Sequence, residues 1–277
     1  MPSETVLCIV CESSLRPFFE KPFRGRWGLG NVEYWKCMCC GLTIAKTLYE
    51  MPRPAWEALN ETYHRSLFEL DSIVRASADY RWPMRARGIK RLHDQARVLA
   101  SLSQQGLLSN RLPWIDYGCG NGVLVDQLAM HSVFAWKFDP HIHGAGYLTM
   151  EELKQPFSVV INTAVFEHIR ERTVLDEIAN LVAEDGVLAL HTLVCETIPK
   201  DPAWFYLLPV HCTMFTNDSM QRLFEQWGFV ESLYHVPSRM WFWFRQPVEA
   251  TKRFMESKPP GFYMRHAFVD YWKGQAL

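Results

Sequence analysis

The segment Trp114-Ile115-Asp116-Tyr117-Gly118-Cys119-Gly120-Asn121-Gly122-Val123-Leu124 constrains the fold of this chain more than any other. An apolar run ends in an acid, passes three glycines at alternate positions and enters a helical pattern. Such glycines let the backbone approach a ligand closely and leave the N–H groups of a helix start pointing at it. Asp139 closes the next apolar run, Phe134-Ala135-Trp136-Lys137-Phe138, 21 residues after Gly118. A carboxylate at the end of a second strand can accept hydrogen bonds from both ribose hydroxyls of an adenosine ligand. In open α/β sheets ligands bind at the carboxyl ends of the strands, where both features meet.

The surrounding texture predicts such a sheet. Candidate strands are Pro113–Tyr117, Phe134–Phe138, Phe157–Ile161 and Val187–Val194, with helical patterns over Gly122–His131 and Glu167–Val182. Short apolar strands alternating with amphipathic helices indicate a parallel sheet covered on both faces. Upstream, helices are expected over Pro54–Leu70 and Met84–Gln105, the second carrying a basic face of Arg87, Lys90, Arg91 and Arg97 with Asp94. That face reads as solvated, with a phosphate or nucleic-acid surface as the alternative. Downstream, Asn217-Asp218-Ser219 signals a helix over Met220–Trp227. The runs Phe229–Val236 and Met240–Arg245 predict a hairpin closing the sheet edge.

A dinucleotide site would share the glycines and the acid, so spacing decides. The dinucleotide fingerprint is G-x-G-x-x-G. Here Asp116, Gly118, Gly120 and Gly122 read D-x-G-x-G-x-G, which is similar to motif I of the class I S-adenosylmethionine-dependent methyltransferases. Phe157-Ser158-Val159-Val160-Ile161-Asn162 followed by Glu167-His168 resembles the fourth strand of that superfamily with its "EH" ending. Leu181–Leu188 resembles the L-x-P-G-G-x-L turn into its fifth strand, with Glu184 and Asp185 in place of the proline and first glycine. The resemblance spans about residues 85–245. It implies a Rossmann-like α/β core with a mostly parallel seven-stranded sheet ending in a β-hairpin.

Carried over position by position, the resemblance assigns Asp116, Gly118, Cys119, Gly120, Asn121 and Gly122 to the loop around the methionine half of the cofactor. Asp139 takes the ribose hydroxyls, and Asn162, Thr163 and Ala164 border cofactor and acceptor. Between Asp139 and Phe157 there is room for only a brief third strand (Gly146–Leu148), so a more open adenine pocket is expected. Pro209–Thr216 is similar to the "EH-x-x-Y-F" segment of sugar C-methyltransferases. Only His211 and Phe215 match; Val210 and Met214 replace the acid and the tyrosine. The fold and cofactor carry over; the deoxysugar chemistry does not.

Methyl transfer to a hydroxyl needs in-line alignment, water exclusion and a base, and histidine titrates nearest neutrality. His211 is the first candidate base, against a reading as a buried structural histidine. His168 is the second, against a capping role beside Glu167. His141 and His143 flank a glycine-rich turn and are expected to shape a loop. Trp241, Trp243, Phe262, Tyr263 and Trp272 line an acceptor pocket or, as aromatics more commonly do, pack a core.

Cysteine usage is lopsided: five of eight fall in the first forty residues. Cys8-x-x-Cys11 and Cys37-x-x-Cys40-Gly41 are two knuckles separated by 25 residues. That spacing suits a closed, structural four-thiolate zinc site made by Cys8, Cys11, Cys37 and Cys40, with Cys39 spare or sharing; reduced, metal-free cysteines are the alternative. Hairpins are expected between the knuckles. The resulting organisation is a zinc-ribbon-like module (1–45), a helical linker or cap (46–110), a methyltransferase core (111–247, with an acceptor-site insertion near 195–216) and a C-terminal extension (248–277). Four N-terminal cysteines before such a core also look like a subgroup that methylates sugars and related small metabolites.

Composition sets the outer bounds. The chain has 277 residues, net charge −1 and 48% apolar residues, the profile of a globular chain. No run reaches the roughly 18 apolar residues of a membrane span, and the first ten residues lack a secretory pattern, so a cytoplasmic protein without membrane attachment is expected. Near-neutral charge argues against nucleic acid and for a small-molecule or sugar acceptor. Three readings compete with O-methylation of such an acceptor: an RNA methyltransferase with the zinc module as clamp, a non-catalytic scaffold that retains the cofactor, and a nicotinamide oxidoreductase. Oligomeric state is not legible.

Overall fold

The computed structural model describes residues 6–25, 27–74, 82–142 and 144–270, with the side chains of 65–74 and 82–89 left out. The chain divides into two compact units: Met1–Arg85, Glu167–Arg172 and Leu193–Arg222 make the first, and Ala86–Phe166, Thr173–Thr192 and Leu223–Leu277 the second. Residues 195–216, expected as an insertion of the core, cluster with the N-terminal segment.

The first unit is built on a five-stranded sheet. Its N-terminal strands are β1 (Leu15–Phe23), β2 (Gly30–Cys37) and β3 (Thr43–Ala45), followed by the short helix α1 (Lys46–Tyr49) and the long helix α2 (Arg53–Val74). The expected hairpin is β1–β2, antiparallel, with Leu15 opposite Cys37 and Phe23 opposite Gly30. Along β2, Val32 and Tyr34 are buried while Asn31 and Glu33 face out, the alternation of a strand with one covered face. The sheet goes on past the expected module through two later strands, in the order β1-β2-β3-β9-β8.

The second unit holds the larger sheet. In chain order its elements are α3 (Trp82–Gln104, entering from the first unit), β4 (Trp114–Tyr117), α4 (Val123–Ala129), β5 (Ala135–Phe138), β6 (Phe157–Thr163), α5 (Arg172–Asn180) and β7 (Val182–His191). β8 (Val194–Cys195) and β9 (Thr213–Thr216) belong to the first unit. α6 (Asn217–Gln226), β10 (Glu231–His235), β11 (Met240–Phe244), α7 (Glu249–Glu256) and β12 (Phe262–Arg265) complete the chain. The strand order is β12-β10-β11-β7-β6-β4-β5. β5, β4, β6 and β7 run parallel; β11, β10 and β12 are antiparallel to their neighbours. Every residue of β4 and of β11 is buried, as in strands covered on both faces. Leu99 and Leu102 of α3 and Leu124 and Leu128 of α4 pack with Trp114, Val159, Ile161 and Phe242 in one apolar core.

Several expectations are corrected. The seven strands are not the expected seven. Residues 146–148 make only an isolated bridge from Tyr147 to Lys137, and the extension supplies β12 in its place. The β10–β11 hairpin is therefore internal, with β12 as the edge. No helix starts at Glu167; residues 166–168 form a 3-10 turn and α5 begins at Arg172. The turn around Glu184 and Asp185 is absorbed into β7 as an irregularity opposite Phe157–Val159. α6 is capped by Thr216: its N–H donates to Ser219 Oγ at 2.8 Å and its Oγ1 accepts the Ser219 N–H at 3.2 Å, a reciprocal capping box. Among the described residues no helix is long and apolar enough to cross a membrane.

Candidate functional site

The glycine loop grows out of β4. Gly118, Gly120 and Gly122 all adopt positive φ, at 75°, 54° and 75°. A Cβ on Gly118 would lie 2.5 Å from Val165 Cγ2, so the loop is pressed against the segment after β6 and tolerates no side chain there. A Cβ on Gly120 would meet open space. Gly118 and Cys119 donate their N–H groups to the Phe138 carbonyl at 2.8 and 3.1 Å, which fastens the loop to the end of β5. The Tyr147 hydroxyl donates to the Gly120 carbonyl at 2.9 Å. Asn121 is exposed.

Two carboxylates flank the loop. Asp139 Oδ2 accepts the Gly120 N–H at 2.9 Å and Oδ1 accepts the His141 N–H at 2.9 Å, so the side chain is fixed while each oxygen keeps a further lone pair. Asp116 is buried, and its Oδ1 has no hydrogen-bond partner. Burial first, and the charge of Asp139 second, push its carboxyl up to about 7. At the end of β6, Asn162 Nδ2 donates to the Tyr117 carbonyl at 3.2 Å while its buried Oδ1 is also unpartnered. Thr163 is half-buried. Ala164 is exposed in a left-handed conformation, φ 57°, and donates its N–H to the His191 carbonyl at 2.8 Å.

In the first unit the four thiols of Cys8, Cys11, Cys37 and Cys40 converge, all sulfurs within 4.8 Å of one another. Cys8 Sγ lies 3.5 Å from Cys40 Sγ and Cys11 Sγ 3.4 Å from Cys37 Sγ. Four sulfurs about 2.3 Å from one ion would be separated by about 3.8 Å, so the cluster has the dimensions of a tetrahedral thiolate cage. Gly41 has φ 73°, as the knuckle requires. Cys39 is exposed and outside the cluster.

The same unit brings His168 and His211 together, their ring centroids 5.0 Å apart. His211 Nδ1 lies 2.8 Å from the Tyr206 carbonyl; a carbonyl only accepts, so Nδ1 carries the proton and Nε2 the lone pair. The Tyr206 hydroxyl donates to Glu167 Oε1 at 2.8 Å. Burial holds the His168 imidazolium down to about 3 and that of His211 down to about 4, so both rings are neutral at pH 7.

A family model described as a methyltransferase domain matches residues 86–231, more than half of the chain. The chain belongs to that family. It is an S-adenosylmethionine-dependent methyltransferase. No curated protein matches it. Among solved structures, magnesium protoporphyrin IX methyltransferase from Synechocystis PCC 6803 with bound SAH is similar at 15% identity, covering 69% of this chain and 99% of that one with a TM-score of 0.47. DesVI from Streptomyces venezuelae is 14% identical over 66% of this chain and 98% of its own, TM-score 0.43. An O-methyltransferase family protein from Burkholderia thailandensis is 15% identical over 74% and 63%, TM-score 0.40.

Beside the loop, Asp116 keeps a buried carboxylate oxygen without a hydrogen-bond partner, and a Cβ on Gly120 would have nothing within 4 Å among the described residues. Other sequence expectations sort differently. Trp241 and Trp243 are fully buried core residues rather than pocket walls; Tyr263 is exposed on β12. His141 is exposed, and His143 and Trp272 lie outside the described residues. The basic face of α3 is not purely solvated: Lys90 pairs with Asp94, and Arg91 Nη1 lies 3.2 Å from the buried His191 Nε2. Tyr206 was not legible as a site residue. It sits in an aromatic run, Trp204-Phe205-Tyr206, whose pattern does not say which ring turns inward.

Proposed function

We propose that this methyltransferase transfers a methyl group to a hydroxyl of a small molecule or sugar, with a histidine as base. The observation that carries this reading is the tautomer of His211. The Tyr206 carbonyl holds its Nδ1 proton, so Nε2 carries the lone pair. S-adenosylmethionine, when bound, supplies a methyl group on a sulfonium that leaves as a neutral thioether. Gly118, Gly120 and Gly122 would let its methionine half approach the backbone, Asp116 would balance its cationic end, and the fixed Asp139 carboxylate would accept from its ribose hydroxyls. Asn162, Thr163 and Ala164 border the transferring end. His211 Nε2 would take the acceptor's hydroxyl proton, with the His168 ring 5.0 Å away in the same unit. Cys8, Cys11, Cys37 and Cys40 would hold zinc as a structural ion that braces the first unit, because four thiolates leave no open position for chemistry.

Neutral overall charge supports a small acceptor over RNA. The test is transfer of radiolabelled methyl from S-adenosylmethionine to a panel of hydroxyl-bearing glycosides and metabolites, run beside bulk tRNA at low and high salt. Label in an alkali-stable ether of a small acceptor is expected. Salt-sensitive label in tRNA alone would replace this reading with the RNA one.

A further inference from the structure

Glu167, His168 and His211 lie far in sequence from the thiolate cage, yet their ligand atoms also converge. One carboxylate oxygen of Glu167 and one nitrogen of each ring all lie within 4.8 Å of one another. Two histidines and a carboxylate are a recurrent donor set for zinc and for other first-row divalent ions in sites with open positions. We propose that these three side chains form a second metal site, for a divalent first-row ion such as Zn2+ or Co2+, and that an ion there blocks the base.

The surroundings of the three ligands fit an ion. Metal-binding histidines almost always donate the ring N–H that faces away from the ion to a carbonyl or carboxylate, which fixes the ring and its tautomer. His211 does this through Nδ1 to the Tyr206 carbonyl at 2.8 Å. On the other ring, His168 Nδ1 is buried and has no hydrogen-bond partner among the described residues. An orphaned buried lone pair costs free energy unless something occupies it, and a cation between the rings would. The carboxylate is oriented the same way: the Tyr206 hydroxyl holds Glu167 Oε1 at 2.8 Å. Tyr206 therefore braces two of the three ligands, one by its hydroxyl and one by its carbonyl, and its ring packs on His211 at 4.4 Å between centroids. Glu167 and His211 are themselves buried. The set carries one negative charge before the ion and one positive after it, an imbalance that water or a hydroxyl in the open position would share.

This inference rests on the proposed role of His211 and adds a control to it. The Nε2 lone pair holds either a proton or a metal ion, so occupancy and proton removal exclude one another. An ion at this site would stop turnover through His211 alone.

The experiment is titration of Co2+ into purified full-length protein whose thiolate cage already holds zinc, read by visible absorption. Nitrogen and oxygen ligands give weak ligand-field bands, whereas a thiolate site adds intense sulfur-to-cobalt charge transfer in the near ultraviolet. Wild type is expected to bind one Co2+ with the first signature alone, and turnover should fall in step with occupancy. Glu167→Gln and His211→Ala should weaken binding at least tenfold. Tyr206→Phe, which leaves every ligand in place, should weaken it about tenfold through the lost orientation of Glu167, with an unchanged far-ultraviolet spectrum. Absence of Co2+ binding in wild type, or equal binding by all variants, overturns the site and leaves the base reading standing if His211→Ala still abolishes transfer. Binding that raises turnover overturns the exclusion and the base reading with it.

Discussion

Asp139 Oδ2 accepts the backbone N–H of Gly120 at 2.9 Å, tying the acid at the end of β5 to the middle of the glycine loop after β4. One side chain thus sets loop shape and presents the group expected to bind ribose. Asp139→Asn should weaken S-adenosylmethionine binding about 10- to 100-fold, the scale of losing a charge-assisted hydrogen bond. Calorimetry of cofactor binding checks this.

The three glycines should not be equivalent. At Gly118 an added methyl meets Val165 at 2.5 Å and the backbone is left-handed; at Gly120 only the backbone penalty applies. Gly120→Ala should cost about 1–2 kcal/mol, a shift of about 2–8 °C in unfolding midpoint for a unit of this size. Gly118→Ala should cost more, and Gly118→Ala with Val165→Ala should recover the steric part alone. Thermal melts of the three variants decide the order.

Cofactor affinity should depend on pH through Asp116. Its folded-state carboxyl sits at about 7, above the ordinary 3.8, because burial and Asp139 disfavour the charge. Its stabilising contribution is therefore complete below about 3.8 and is lost as the pH rises through 7. A cationic ligand reverses that preference, so S-adenosylmethionine should bind up to tenfold tighter per pH unit on approaching 7 from below and level off above it. Asp116→Asn should abolish the slope, as read by calorimetry at a series of pH values.

His191 acts in the opposite sense. It is buried, its Nδ1–H donating to the Arg239 carbonyl at 2.7 Å and Nε2 facing Arg91, and burial first and Arg91 second hold it down to about 3. Its contribution to stability is complete above about 6.5 and is lost as the pH falls towards 3. Unfolding midpoints should drop through that window. His191→Gln should flatten the decline, whatever it does to stability at neutral pH.

How legible this was from sequence differs by element. The D-x-G-x-G-x-G loop and Asp139 were readable because a close turn, positive φ and a strand-ending acid each demand particular residue types. The cysteine cluster was readable because thiol spacing is a local property of two turns. The edge of the large sheet was not. Phe262–Arg265 alternates half-buried and exposed residues too weakly to mark a strand, and only pairing with β10 makes it one. Tyr206, Glu167 and His211 meet through contacts spanning 39 and 5 residues, which no local pattern encodes.

Zinc should be separable from catalysis. A strong chelator with a mercurial should release one zinc per chain and collapse the first unit, seen as lost β signal. Cys8→Ser with Cys40→Ser should yield protein without stoichiometric zinc, whereas Cys39→Ser should keep it, since Cys39 lies outside the cluster. Metal analysis by mass spectrometry distinguishes them.

The most direct measurement is calorimetric titration of the purified chain with S-adenosylmethionine, beside NAD as the competing ligand, on wild type and on Asp139→Ala. Saturable one-to-one binding of S-adenosylmethionine by wild type, at least tenfold weaker in the variant and absent for NAD, is the predicted result. Wild type that fails to bind S-adenosylmethionine, or binds it equally well without the Asp139 carboxylate, would contradict the account.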